Sequence, residues 1–197
     1  MNNQQVILSE KAWFAGFIDG EGYLGLRIHK YANGDRYNRV FYPTIRPEFH
    51  VVNAEKEMID KCFLIAKKLD VNLYIRKSKG TGSRKDAYRV QTKGINRCYR
   101  LLKPLVPYLT ASKKKRAELI VEFCKSRIEA KTYKNPFGSG RVKPYSKREL
   151  EIWELTQPLM RRGKRTPETT RDVLRRNAVL VAKIKERNNG FLDAMKI

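Results

Sequence analysis

Residues Trp13–Leu26 read WFAGFIDGEGYLGL. Seven largely apolar residues, Ala12 to Ile18, end in two acids, Asp19 and Glu21, set among glycines. Helix C-termini carry partial negative charge and attract cations, so acids there need a reason. Upstream, Ser9 suits an N-cap and Glu10 a first turn, which places a helix from Ser9 to about Gly20. Its apolar residues run all the way round, as in a buried helix. Ala12, Gly16 and Gly20 fall at i, i+4 and i+8, with Ala15 beside them, giving a face almost without side chains. A glycine in a helix interior costs about 1 kcal/mol relative to alanine. Close approach of another backbone would offset that cost, and an ordinary packing notch is the plainer alternative.

The same region stands apart in charge. The 197 residues hold 43 Lys+Arg against 20 Asp+Glu, a net +23. Residues 1–60 carry 7 basic and 8 acidic residues, whereas 61–197 carry 36 and 12. A field of this sign concentrates polyanions, with nucleic acid the first candidate. The acids of the motif thus read as a cation-binding centre within a polyanion-binding protein. A membrane partner is not expected, because there is no basic amphipathic anchor and no apolar run long enough to span a bilayer. The N-terminus resembles neither a signal nor a transit peptide. Three scattered cysteines, Cys62, Cys98 and Cys124, form no CxxC pair, and with two histidines a zinc site is not expected. Buried thiols in a reducing, intracellular setting are the expectation.

Residues 23–31 alternate, Leu24, Leu26 and Ile28 against Tyr23, Arg27 and His29. After the turn signal Asn33-Gly34-Asp35, residues 42–52 alternate again. Paired as a hairpin, they put Arg27, His29, Arg46, Glu48 and His50 on one face. Pro47 falls on the other face and suggests an edge or a bulge. An amphipathic helix follows over 54–69, with Asn53 as a candidate N-cap. A second hairpin, Leu73–Lys77 and Ala87–Thr92, carries Arg76, Lys77, Lys79, Arg84, Lys85 and Arg89 against Asp86 alone. Residues 95–109 read as helix broken at Pro104 and Pro107, and 112–130 as a strong helix. That helix opens Ser112-Lys113-Lys114-Lys115-Arg116, four cations opposing its dipole. A bound phosphate would explain them, and plain surface charge is the alternative. Residues 131–145 form a basic Gly/Pro linker after a core of 1–130. Helices over 146–160 and 167–187, joined through Lys164 and Arg165, complete the same domain across 146–197. The order is αββαββ followed by helices, an α+β chain with a polar sheet face. A β-ribbon fits the major groove, where arginine reads guanine with two hydrogen bonds.

Phe14-Ala15-Gly16-Phe17-Ile18-Asp19-Gly20-Glu21-Gly22 resembles the signature of the LAGLIDADG homing endonucleases. Leu105–Leu109, with the Lys-rich helix start after it, and 164–174 resemble later parts of the single-motif, homodimeric members. The resemblance implies an αββαββα fold with a four-stranded antiparallel DNA-binding sheet and extra C-terminal helices. It implies a dimer interface through Ala12, Ala15, Gly16, Asp19 and Gly20, with Asp19 structural. Glu21 would be the metal-binding carboxylate and the Gly20 carbonyl a second ligand, for Mg²⁺ or another divalent cation. Asn53 matches a position whose amide holds an active-site water, in competition with its N-cap reading. Lys113 or Lys114 matches a basic residue at the active-site solvent, and the sequence does not choose between them. Arg27, Arg46 and Arg76 match base-reading positions. Glu57, beside Lys56, departs from the basic residue that the relatives carry near the metal site.

Without the name, the chemistry is coherent. Two carboxylates at paired helix ends repel, and a hard cation with oxygen ligands relieves the repulsion. Such an ion activates water and stabilises the leaving oxygen of an in-line displacement. No HNH-like cluster and no PD…(D/E)xK pattern is present. One chain holds one motif, since Phe191–Met195 lacks the glycine and the second acid. Cutting both strands therefore calls for a homodimer on a long, near-palindromic duplex. The expected activity is a site-specific, intron-encoded DNA endonuclease, of chloroplast or mitochondrion by resemblance alone. The rival is a non-cleaving binder on the same fold, an intron RNA maturase or a transcription regulator.

Overall fold

The computed structural model describes residues 3–33, 40–79, 86–130, 144–159, 175 and 178–186. Arg84, Lys85, Lys164, Arg165, most of the expected linker and the start of the last expected helix lie outside them. The first helix, α1, spans Asn3–Glu21 and begins six residues before the expected Ser9. Gln4 to Leu8 include no glycine or proline, and a mid-helix serine costs little, so nothing stops the helix at Ser9. Glu10 is ion-paired to Lys68 at 2.5 Å. Contrary to the expectation of burial all round, α1 buries one side only. Phe14, Ala15 and Ile18 sit in the core, while Ala12, Gly16, Gly20 and Glu21 are exposed. Ala15, expected on the small face, packs inside the protomer.

The chain turns straight from α1 into β1, Gly22–Asn33. A Cβ on Gly22 would lie 2.6 Å from the Ile18 carbonyl oxygen, so the turn admits no side chain there. β2 spans Val40–Asn53, β3 Tyr74–Ser78 and β4 Ala87–Lys93, forming one antiparallel sheet in the order β1-β2-β4-β3. α2 covers Lys56–Lys68, α3 Ile95–Leu102, α4 Ala111–Glu129 and α5 Lys147–Leu159, with a short 3₁₀ turn at Val106–Tyr108. Residues 178–186 are helical. This is the α+β, αββαββα arrangement with additional C-terminal helices.

Strand alternation divides the sheet. Leu24, Leu26, Ile45, Phe49, Val51 and Val90 point to the helices and join one core with Phe14, Ile59, Leu101, Ile120 and Phe123. The same core takes in Ile152, Trp153, Val181 and Ile184 from the C-terminal segment. Cys62, Cys98 and Cys124 are buried in it as thiols. Burial pushes Cys62 and Cys98 up to about 12 and Cys124 well above the ordinary value. Among the described residues no helix is long and apolar enough to cross a membrane.

β2 is an interior strand, yet it pairs with β4 only from Glu48 to Asn53. Among the described strands its earlier half pairs with β1 only, which gives a local edge of the kind Pro47 suggested. There the Ile45 N–H donates to the Tyr145 hydroxyl at 2.9 Å. A buried ion pair, Arg127–Glu149 at 3.3 Å, fastens α4 to α5. The Gln157 amide donates to the Leu26 carbonyl on β1 at 3.3 Å.

Candidate nucleic-acid interface

Two helix ends meet at the motif. Asp19, in the last turn of α1, accepts a hydrogen bond at 2.8 Å from the backbone N–H of Thr110, the N-cap residue of α4. Lys113, in the first turn of α4, reaches back and donates to the Ile18 carbonyl and to those of Asp19 and Gly22 at 2.8 and 2.9 Å. Each helix thus receives the charge its terminus favours, an acid at the start of α4 and a cation at the end of α1. Arg116, likewise buried, donates to the Leu24 carbonyl at 3.4 Å. The Lys-rich run is therefore split. Lys113 and Arg116 reach backbone carbonyls of this chain, and Lys114 and Lys115 are exposed. Lys113, matched by resemblance to the active-site solvent, has three carbonyls for the three N–H donors of its ammonium. Asp19, to which the resemblance gives a structural role, joins the end of α1 to the start of α4 through its bond to Thr110.

Glu21 is the last residue of α1 and is exposed beside exposed Gly20. Asn53 closes β2 at the same end of the sheet, two residues beyond Val51, the partner of Gly22. Asn53 does not cap α2. Its Oδ1 accepts the Glu55 N–H at 2.8 Å, and Glu55 itself occupies the N-cap position. The cause is length: the chain needs two more residues to turn from β2 into α2. Among the described residues no three His, Cys, Asp or Glu side chains converge as metal ligands. At the end of α1 the described residues offer the exposed Glu21 carboxylate and neighbouring carbonyls, hard oxygen donors of the type Mg²⁺ takes along with water and phosphate.

The outward sheet face is polar. Register sets Arg27 opposite Arg46, Tyr23 opposite His50 and Gly25 opposite Glu48, so these share one face. From β2 it continues through Glu48–Lys93 and His50–Gln91, then through Gln91–Tyr74 and Arg89–Arg76. Arg27, His29, Arg46, Glu48, His50, Arg76 and Arg89 are thereby brought together. Lys77 is not. It pairs with Tyr88 on the opposite face, where it is ion-paired to Asp86 at 2.8 Å. Adjacent strand residues point to opposite sides, so Arg76 and Lys77 cannot both face a groove. Lys79 lies exposed just past β3. Tyr23, Tyr74, Gln91 and Lys93 also stand on this face, absent from the sequence-based site although period two predicts them. Tyr23 stacks on His50 with ring centroids 4.6 Å apart and accepts from the Arg27 Nε at 2.9 Å.

Glu48 differs from its neighbours. It is 5% exposed, whereas Arg27, Arg76, Arg89 and Lys93 on the same face are exposed. Its Oε1 accepts from His29 Nε2 at 2.7 Å and pairs with Lys93 Nζ at 3.2 Å, while Oε2 lies 3.5 Å from Arg27 Nε. Burial works to raise its carboxyl pKa. The Lys93 hydrogen bond and the charges of Lys93, Arg27 and His29 outweigh burial and hold it below the usual carboxylate range.

The sheet order, the largely basic outward face and the acid at the end of a small-faced helix define an α+β fold that known structures share. Known structures put a name to it. The homing endonuclease I-CvuI, in complex with its target in the presence of Ca, is 22% identical; the match covers 88% of this chain and 97% of that one at a TM-score of 0.54. The homing endonuclease I-TnaI is 16% identical, covering 89% and 96%, with a TM-score of 0.51. The I-LtrWI LAGLIDADG homing endonuclease bound to target DNA is 14% identical at a TM-score of 0.50, with 84% of this chain matching 49% of that one. No protein-family model and no curated protein matches the chain. The chain has the fold of the LAGLIDADG homing endonucleases.

Proposed function

We propose that the chain is a metal-dependent DNA endonuclease that binds a long, near-palindromic duplex as a homodimer and cuts both strands. One observation carries the reading. The exposed face of α1 bears Ala12, Gly16 and Gly20, a Cβ on either glycine would meet nothing within 4 Å, and the face ends on Glu21. Among the described residues no side chain fills the space that a Cβ on either glycine would take, although a glycine in a helix interior costs about 1 kcal/mol. A second copy of α1 laid against this face would bring two Glu21 carboxylates together between two basic sheets.

Glu21 and the Gly20 carbonyl would hold a divalent cation, for which Mg²⁺ is the suited ion. When bound, such an ion supplies an activated water and charge stabilisation for the leaving oxygen. The clasp between Asp19 and Lys113 fixes the helix end that presents Glu21. Arg27, Arg46, Arg76 and Arg89 approach base edges and phosphates from the sheet. I-CvuI is in complex with its target and I-LtrWI is bound to target DNA, which supports DNA as the partner of this fold.

The test is cleavage of a plasmid library carrying randomised near-palindromic inserts, with Mg²⁺ and with Ca²⁺. A discrete double-strand cut that vanishes in Glu21→Gln, with selective binding kept, is the expected result. Full cutting by Glu21→Gln overturns the assignment of the acid. Selective binding without any cut by the wild type points to a regulator, and failure to select any duplex points to intron RNA.

A further inference from the structure

We propose that Glu48 is a positioning residue for base recognition, a carboxylate beneath the basic face that fixes Arg27, His29 and Lys93 and so sets sequence discrimination. The proposal rests on the DNA-binding reading above and deepens it. Glu48 itself is not a base reader. It is 5% exposed, and both its oxygens are engaged by side chains of the same face. Its place in the register explains how it can lie so low. On β1 its partner is Gly25, which has no side chain to fill the space, and on β4 its partner is Lys93.

The three groups it gathers are those a groove would meet. Their side chains remain 54%, 32% and 50% exposed for Arg27, His29 and Lys93. Arg27 is held a second time, by the Tyr23 hydroxyl at 2.9 Å and with its guanidinium 4.8 Å from the Tyr23 ring centroid. Long cationic side chains without such a partner lose rotamer freedom on binding and follow phosphates, which carry no sequence information. Anchored at one edge, a guanidinium presents its remaining N–H groups in a fixed direction, as two-point reading of a guanine requires. One carboxylate also offsets charge at the centre of the face, which lowers its attraction for duplex of any sequence.

Binding selection from a randomised duplex library tests this, run on the full-length wild type, Glu48→Gln, Arg27→Gln and the double variant. The base pairs read by Arg27 are those whose preference Arg27→Gln loses. At these, Glu48→Gln should lose about tenfold in discrimination, a typical worth for one base pair, and bind random duplex as tightly as the wild type or more so. The double variant should lose no more there than Arg27→Gln alone, because the carboxylate acts through the guanidinium. Wild-type preferences in Glu48→Gln, or losses that multiply in the double variant, overturn the proposal. If Glu48→Gln does not melt as a folded protein, Glu48→Asp keeps the charge one methylene short of its partners. It should loosen the same base pairs, and unchanged preferences would overturn the proposal. A wild type that selects no duplex overturns the DNA-binding reading as well. A selective wild type with an equally selective Glu48→Gln overturns this proposal alone.

Discussion

Replacing Lys113 with methionine tests the joint between α1 and α4. Methionine keeps most of the buried stem and removes the ammonium, leaving the carbonyls of Ile18, Asp19 and Gly22 without their donor. Hydrogen bonds to charged groups contribute about 1.5–3 kcal/mol, and a cation at a partly buried helix C-terminus up to about 2. Those ranges overlap in origin and are not summed, and methionine recovers part of the cost of burying an ammonium. Since Lys113 is only 8% exposed, solvent screening is small. The expected loss is about 2 kcal/mol, which for a chain of this length lowers Tm by roughly 4–8 °C. Cleavage should fall with it, because the end of α1 that carries Glu21 is no longer held. Lys114→Met, at an exposed position, should stay within about 0.5 kcal/mol of the wild type. Thermal melting and plasmid cleavage on both variants decide the matter. A Lys113→Met protein that melts and cuts as the wild type, or a larger loss in Lys114→Met, would refute the joint.

Gly16→Leu should leave the protomer folded, since a Cβ there meets nothing within 4 Å, and split the proposed dimer. An intact dimer by sedimentation would remove the small face from the interface. Tyr145→Phe deprives the buried Ile45 N–H of its acceptor and should cost about 1–2 kcal/mol in denaturant unfolding; an unchanged midpoint contradicts the role given to the hydroxyl. Cys62 and Cys98, with thiols pushed up to about 12, should resist alkylation at mildly alkaline pH in the native state. Mass spectrometry should find label only on unfolded chain, and rapid labelling of native protein would contradict the burial.

The first hairpin was legible because period two puts Arg27 and Arg46 on one face, whereas their direct pairing is set by a connection longer than the Asn33-Gly34-Asp35 signal implies, since the ladder still pairs Asn33 with Val40. The small face of α1 was legible in the i, i+4 spacing of Ala12, Gly16 and Gly20. The fate of Lys113 was not. Its carbonyl partner Ile18 lies 95 residues away, and no local pattern records that α4 begins where α1 ends. A cluster of like charges at a helix start therefore reads as a phosphate site or as plain surface charge, and neither reading includes a partner so distant in sequence. The charge of the second hairpin does not say which cations share a face; parity between neighbours does, and it puts Lys77 on the face opposite to that of Arg76. Asn53 looked like a cap because Asn caps well, while the backbone used its side chain two residues early, in the turn out of β2. The low exposure of Glu48 was hidden too, since it depends on Gly25 and Lys93 from two other strands.

The margin of β2 that meets no second strand among the described residues has a consequence for how copies of this protein meet one another. A bare strand edge is a template for adding a foreign strand, which makes it a route to aggregation. The Ile45 N–H points away from β1, toward Tyr145, and with period two the backbone positions at 43 and 47 face the same way. Both are prolines, which have no N–H to give. The donors along that margin are thus missing at Pro43, taken at Ile45 and missing at Pro47, and the Pro47 carbonyl is occupied by the Gly94 N–H at 3.2 Å. The sheet closes its own border with two residues and one hydroxyl, and any added strand finds no donor to grip at those positions.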